Sequence, residues 1–274
     1  MSAFEVRGLV AELIDENPFA IRALLKIVAI EFTDAVATLA VTCESRPRLR
    51  INLDFVARHC RTPEHVKAAL CHEFLHVLLR HTTLKGRLTP ARHLALDAVV
   101  NAIVHRQLGA AYSDLMSRYY AEAPGLGRLL RPMTQDESLW PYDPKLIERH
   151  GPAPSWWNAW SGLYAGSLVA DDLEQLAADL APAVPPEAFG GGLGGAGVAD
   201  GGDHLPGVDR LLGNHADDAE LTDALAEALD RACRELNGHG IWRDAGRGLG
   251  GDAYELLASP RHAALAEWKR RTLE

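Results

Sequence analysis

Two apolar segments, residues 62–81 and 89–108, constrain the fold of this chain of 274 residues more than any other part of its sequence. Each begins with a Thr-Pro pair, which places a threonine at the N-cap and a proline at the first helical position, and Gly109 supplies a stop after the second. Apolar residues cover most sides of both predicted helices, so both should be buried. Because a loop of only about eight residues joins them, we expect antiparallel neighbours.

The first helix contains the pattern HExxH, formed by His72, Glu73 and His76. Histidines four residues apart lie about 40° apart around a helix axis and about 6 Å apart along it, so both imidazoles can reach one metal ion. Glu73 lies about 100° round from His72, where its carboxylate can meet an activated water without being a ligand. Such side chains are costly in an apolar helix unless they are paired or bound to a metal. The pattern predicts a zinc site with Glu73 as general base.

The second helix carries one polar stripe with a residue at every fourth position: His93, Asp97, Asn101 and His105. Two buried helices with one polar stripe each should turn those stripes toward each other. At about 1.5 Å per residue, His76 and Asp97 lie at nearly equal height, roughly 9 to 10 Å from the connecting loop. Asp97 is therefore the predicted third ligand of a catalytic site with three protein ligands and a water.

Three further polar residues lie near this predicted site. Asn101, one turn beyond Asp97, could accept the free N–H of a ligand imidazole behind His72, or could bond to nearby backbone. His93, one turn nearer the loop, is the rival third ligand. His81 follows His76 by five residues, so on an ideal helix it points about 140° away and would interact with the C-terminal end of the helix dipole. One zinc ion per chain is expected, since no other cluster has ligand spacing.

The remaining segments predict a mostly helical α+β fold. Helical spacing marks residues 6–30, with a break at Asn17-Pro18, and also residues 168–181 and 217–236. Two β-rich runs, residues 35–43 and 49–55, predict a hairpin packed on the HExxH helix. Tyrosines and tryptophans among prolines and short helical pieces after Gly109 predict an irregular wall packed on the helix pair.

Chain length and a hydrophobic fraction of 47% suit one domain with a buried core. We predict a single domain over residues 1–274, with the metal site in a core of residues 1–168 and a helical C-terminal part at 205–274. Residues 182–204 are rich in glycine and poor in large apolar residues, so we expect a mobile loop there.

Charge and hydropathy exclude several partner classes. A net charge of −9 argues against a surface for nucleic acid or anionic membrane. No run approaches the ~18 apolar residues of a membrane span, and the N-terminus lacks the layout of a signal peptide. We therefore expect a cytoplasmic protein that binds neither nucleic acid nor membrane.

Residues 49–108 resemble a bacterial metallopeptidase domain that is found ahead of von Willebrand factor A-like domains and is encoded near MoxR-type ATPases. That family has an HExxH helix followed by a helix with the pattern A-x-D-x-x-x-N, matched here by Ala95, Asp97 and Asn101. The resemblance implies a zincin-like core with Asp97 in the third-ligand place. It also implies a von Willebrand A-like or MoxR-type ATPase partner, although this chain departs from the family by ending at Glu274 without the A-like domain.

These patterns favour a zinc metallopeptidase that cleaves a peptide or protein substrate, with Glu73 removing a proton from the attacking water. The run at 49–55 would either hold an extended substrate by edge pairing or serve as an ordinary structural strand. One alternative is a zinc amidase of small N-acyl substrates, which shares the HExxH helix. Another is a non-catalytic, zinc-containing binding or regulatory module, against which the intact Glu73 argues because a structural site needs no base.

Overall fold

A computed structural model of the chain describes residues 1–42, 47–79, 81, 89–184, 223–236 and 240–242. Most of the predicted Gly-rich loop, from residue 185 onward, and most of the C-terminal part lie outside these ranges. The described chain forms α-helices at Ala3–Glu16 (α1), Arg22–Ile27 (α2), Leu53–His59 (α3), Pro63–Leu78 (α4), Pro90–Leu108 (α5), Ala110–Tyr119 (α6), Gln135–Leu139 (α7), Pro144–His150 (α8), Trp157–Ala165 (α9), Leu173–Leu180 (α10) and Asp223–Glu235 (α11). Its strands are Ala29–Phe32 (β1), Leu39–Thr42 (β2) and Arg48–Ile51 (β3). The predicted mostly helical α+β class is confirmed.

The two central helices begin as their Thr-Pro pairs predict. The Thr62 side chain accepts a hydrogen bond from the backbone N–H of His65, and the Thr89 side chain accepts one from Arg92, so each threonine caps its helix. Gly109 ends α5 with a φ of 86°, a conformation that favours glycine. None of the helices in the described ranges is both long enough and apolar enough to cross a membrane.

The sheet is mixed, with the strand order β1-β3-β2. β2 and β3 form the predicted antiparallel hairpin, and β1 pairs parallel to β3. The prediction that residues 6–30 form only helices is wrong at its end, because α2 stops at Ile27 and Ala29–Phe32 joins the sheet. The pairing partner of β1 lies almost twenty residues further along the chain (Ala29 opposite Arg48), so helical spacing within residues 6–30 could not reveal it.

The predicted strand at residues 49–55 is also too long. The side-chain oxygen of Asn52 accepts from the backbone N–H groups of Asp54 and Phe55, which caps α3 and ends the strand at Ile51. Because β3 is paired on both sides, it has no open edge for an extended substrate. The edge-pairing role suggested for that run is therefore wrong, and β2 is the sheet edge that packs beside α4.

Helices α4 and α5 form the centre of the core. α5 contacts α4, α6, α9 and α10, while α4 also contacts α1, α6, α11 and β2. Every residue from 65 to 78 and from 94 to 104 is buried, including the polar ones. The burial expected from their apolar composition is confirmed.

The aromatic segment after α6 packs on this centre and contains short helical pieces, as predicted. It forms the short helices α7, α8 and α9 and a 3-10 turn at Gly125–Leu130. The indole N–H of Trp160 donates to the backbone carbonyl of Arg131 at 2.7 Å, and that of Trp157 donates to the carbonyl of Glu137 at 2.9 Å. These bonds join α9 to the 3-10 turn and to α7.

Candidate metal centre

His72 and His76 of α4 meet Asp97 of α5 in the centre of the core. Each offers one ligand atom, and these three atoms all lie within 4.8 Å of one another. Nε2 of His76 lies 3.0 Å from Nε2 of His72 and 3.3 Å from Oδ1 of Asp97. All three side chains are 0% exposed. Imidazole nitrogens and a carboxylate oxygen are metal-ligating atoms, so this buried group could hold a metal ion.

The opposite chain directions of α4 and α5 produce this meeting. His76 faces Asp97, while His72, one turn earlier on α4, faces Asn101, one turn later on α5. These are the contacts expected from residues at equal height on antiparallel helices. The two polar stripes therefore face each other inside an otherwise apolar core.

Asn101 fixes which nitrogen of His72 is free to bind a metal. The side-chain NH2 of Asn101 donates to the backbone carbonyl of Leu130 at 2.9 Å, so its oxygen faces Nδ1 of His72 at 2.8 Å. An amide oxygen only accepts, so Nδ1 of His72 carries a proton, and in the neutral ring Nε2 presents a lone pair. Asn101 therefore makes both hydrogen bonds that the sequence left open. It accepts one from an imidazole and donates one to a backbone carbonyl.

The aromatic segment supports this arrangement through three consecutive backbone carbonyls. The Leu129 carbonyl accepts from the Tyr164 hydroxyl at 3.2 Å, Leu130 accepts from Asn101, and Arg131 accepts from the indole of Trp160. The carbonyl that orients Asn101 is therefore held from both sides. Sequence reasoning could not find it, because a backbone carbonyl leaves no residue-type signal.

Two other histidines of the α5 stripe stay outside the group. His93, the rival third ligand, has no ligand atom in the cluster formed by His72, His76 and Asp97. Nδ1 of His105 lies 2.7 Å from the Ser113 hydroxyl and its ring packs on Tyr164, toward α6 and α9.

His81 lies beside the group, although its spacing predicted the opposite. Its Nδ1 is 3.0 Å from Nδ1 of His76, the two ring centroids are 5.0 Å apart, and the side chain is buried. The prediction that it points away is wrong because α4 ends at Leu78, so ideal helix geometry no longer applies three residues later. The repeated histidines of CHEFLHVLLRH were the only signal for this contact.

Glu73 lies where α4, α5 and the sheet edge meet, and it is 2% exposed. Burial raises the pKa of its carboxyl well above the ordinary value, and the negative charge of Asp97 raises it further. The backbone N–H of Val41, in the edge strand β2, donates to Glu73 and opposes these effects on the pKa. The site thus holds two carboxyl groups close together, an arrangement that a nearby cation would stabilise.

Comparison of the chain with protein-family models, curated proteins and solved structures found no match.

The raised pKa of Glu73 predicts how the metal-free protein responds to pH. Since the folded-state pKa exceeds the unfolded value, the contribution of Glu73 to stability is present below the unfolded pKa and is lost as pH rises toward the folded one. In the presence of a chelator, Glu73→Gln should therefore be more stable than the wild type at pH ~8, by about 1 to 3 kcal/mol, with little difference at pH ~5. Thermal unfolding between these pH values measures this.

The matched control is Glu148→Gln, which changes an exposed residue of α8 and should follow the wild-type curve. Parallel curves for Glu73→Gln and the wild type would contradict the assigned effect of burial.

Proposed function

We propose that this chain is a zinc-dependent hydrolase that cleaves peptide amide bonds. The observation that carries the proposal is the convergence of His72, His76 and Asp97 directly beside the buried carboxyl of Glu73. Two imidazoles and one carboxylate form a donor set found in catalytic zinc sites. Such sites keep a fourth position for water or substrate, whereas structural zinc sites close it with a further protein ligand. In the described ranges the group has three donors, which supports the catalytic type.

The residues around the site can perform the proton transfers of hydrolysis. Zinc held there would supply a Lewis acid that polarises the scissile carbonyl and acidifies water. Glu73 would remove a proton from the attacking water and deliver it to the leaving amine. The charge of Asp97 contributes to the raised pKa of Glu73, so neutralisation of that charge by coordination would bring Glu73 closer to the pKa of a working base. Asn101 would hold His72 with its Nε2 directed at the ion.

The sheet edge beside Glu73 is not open to an extended peptide. β2 pairs on one side only within the described ranges, but all four of its residues are buried, it packs on α4, and its Val41 N–H donates to Glu73. The proposal of a peptide substrate therefore rests on the HExxH pattern and on the resemblance of residues 49–108 to a metallopeptidase domain.

A second candidate function is a non-catalytic, zinc-containing binding or regulatory module, acting with a von Willebrand A-like or MoxR-type partner. The burial of His72, Glu73, His76 and Asp97, each 2% exposed or less, favours it because a structural metal needs no route for substrate. The same burial suits a zinc amidase of small N-acyl substrates better than an enzyme for long peptides. Metal content and cleavage, measured on the same variants, separate these functions.

Glu73→Gln should keep one zinc per chain and lose hydrolysis, because glutamine preserves the shape of the side chain but cannot take a proton. We expect cleavage in a peptide library to fall by about 100-fold or more. Elemental analysis of the same sample gives the metal content, and Glu148→Gln serves as the control that should retain both properties. Loss of zinc from Glu73→Gln would instead make Glu73 a ligand. A zinc-loaded wild type that cleaves neither peptides nor N-acyl amides would support the non-catalytic module.

Asp97→Ala should weaken zinc binding much more than His93→Ala, because only Asp97 has a ligand atom in the group. We expect Asp97→Ala to lose more than about 100-fold in zinc affinity. A loss of about 100-fold is the upper end of the range for groups that only support a ligand. Competition with a chromophoric chelator measures both affinities. If His93→Ala showed the larger loss, the ligand set would be three histidines and the assignment of Asp97 would be wrong.

A further inference from the structure

We infer that His81 is a positioning residue for the proposed metal centre, and that it orients His76 as Asn101 orients His72. The inference rests on the metal centre of the proposed function. Its basis is the buried contact between the Nδ1 atoms of His81 and His76, which are 3.0 Å apart. Two nitrogens at this distance form a stable contact only if one of them carries a proton that the other accepts.

Metal binding determines the direction of this hydrogen bond. Nε2 of His76 faces both His72 and Asp97, so Nε2 is the nitrogen that a metal in this group would use. A neutral imidazole that coordinates through Nε2 carries its proton on Nδ1 and needs an acceptor there. That acceptor is Nδ1 of His81, whose own proton must then be on Nε2. Each motif histidine thus has its own buried acceptor, Asn101 for His72 and His81 for His76.

In the metal-free protein with neutral rings, the same contact runs in the opposite direction. Nε2 of His72 carries a lone pair because the ring proton is on Nδ1, which faces Asn101. The contact of 3.0 Å between the two Nε2 atoms therefore requires a proton on Nε2 of His76, and His81 then donates from its Nδ1 to His76. Metal binding would move the proton of His76 from Nε2 to Nδ1 and that of His81 from Nδ1 to Nε2. Neither ring changes its charge, and Nδ1 of His81 remains the hydrogen-bond partner of Nδ1 of His76 in both tautomers.

The geometry argues against His81 as a fourth ligand. Its Nδ1 faces the nitrogen of His76 that points away from His72 and Asp97, and His81 has no atom in the group of mutually close ligand atoms. The His76 and His81 rings also meet edge to face, so His81 could act through packing alone. Experiment must separate that role from positioning.

Two substitutions separate positioning from packing. His81→Phe keeps a ring for packing but removes the acceptor, whereas the side-chain oxygen of His81→Asn can replace Nδ1 as acceptor. With zinc as the probe in chelator competition, we expect His81→Phe to lose about 10- to 100-fold in affinity and His81→Asn to recover most of it. Thermal unfolding of the metal-free variants checks that both are folded. Wild-type affinity in folded His81→Phe, or equal losses in both variants, would overturn the inference.

Ring nitrogen NMR of the wild type gives a test that needs no variant. In the zinc-loaded protein, we expect a protonated Nδ1 on His76 and a protonated Nε2 on His81, both exchanged relative to the metal-free protein. An unchanged tautomer of His81 would contradict the inference. Neither measurement depends on turnover. Both therefore test the positioning role of His81 even if the chain binds zinc without hydrolysing a substrate. A wild type that binds no zinc would instead reject the proposed function itself.

Discussion

Four ionisable side chains are removed from water together in one small volume at the centre of the core. His72, Glu73, His76 and Asp97 are all within an apolar core, where an isolated charge is far less stable than in water. The surrounding contacts meet this cost in part: Asn101 accepts from His72, the Val41 N–H donates to Glu73, and His76 lies against Asp97. The negative charge of Asp97 still disfavours ionisation of Glu73, which is one reason why the pKa of Glu73 is raised. A bound cation would offset both negative charges, so the metal proposal and the electrostatics of the core support each other.

The fold surrounds this volume from several directions with rigid elements. α4 and α5 supply the group itself, β2 supplies the backbone N–H for Glu73, and the 3-10 turn supplies the carbonyl that orients Asn101. That turn is held in place by side chains of α9, so the aromatic segment contributes to the orientation of His72 through two intervening contacts. Each supporting contact involves a different part of the chain, which favours one fixed geometry for the group. Fixed geometry is what both a catalytic and a structural metal site require.

The sequence was sufficient for features that depend on local chemistry and failed where distant contacts decide the outcome. The Thr-Pro starts of α4 and α5, the Gly109 stop and the hairpin follow from capping and strand propensity, and equal height on antiparallel helices anticipates the contact of Asp97 with His76. β1 was missed because its strand conformation comes from parallel pairing with β3, and α3 was missed because a single Asn52 cap overrides a run of strand-forming residues. His81 was misplaced because α4 ends at Leu78, a boundary that periodicity alone does not define.

We propose that one zinc ion binds between His72, His76 and Asp97. Anomalous diffraction at the zinc absorption edge, from crystals of the purified chain, tests it most directly because it locates the metal and its ligand atoms in one measurement. We expect a single peak per chain, about 2.0 to 2.2 Å from Nε2 of His72, Nε2 of His76 and one carboxylate oxygen of Asp97. A zinc-supplemented crystal with no peak between α4 and α5, or with a peak whose ligands exclude Asp97, would contradict it.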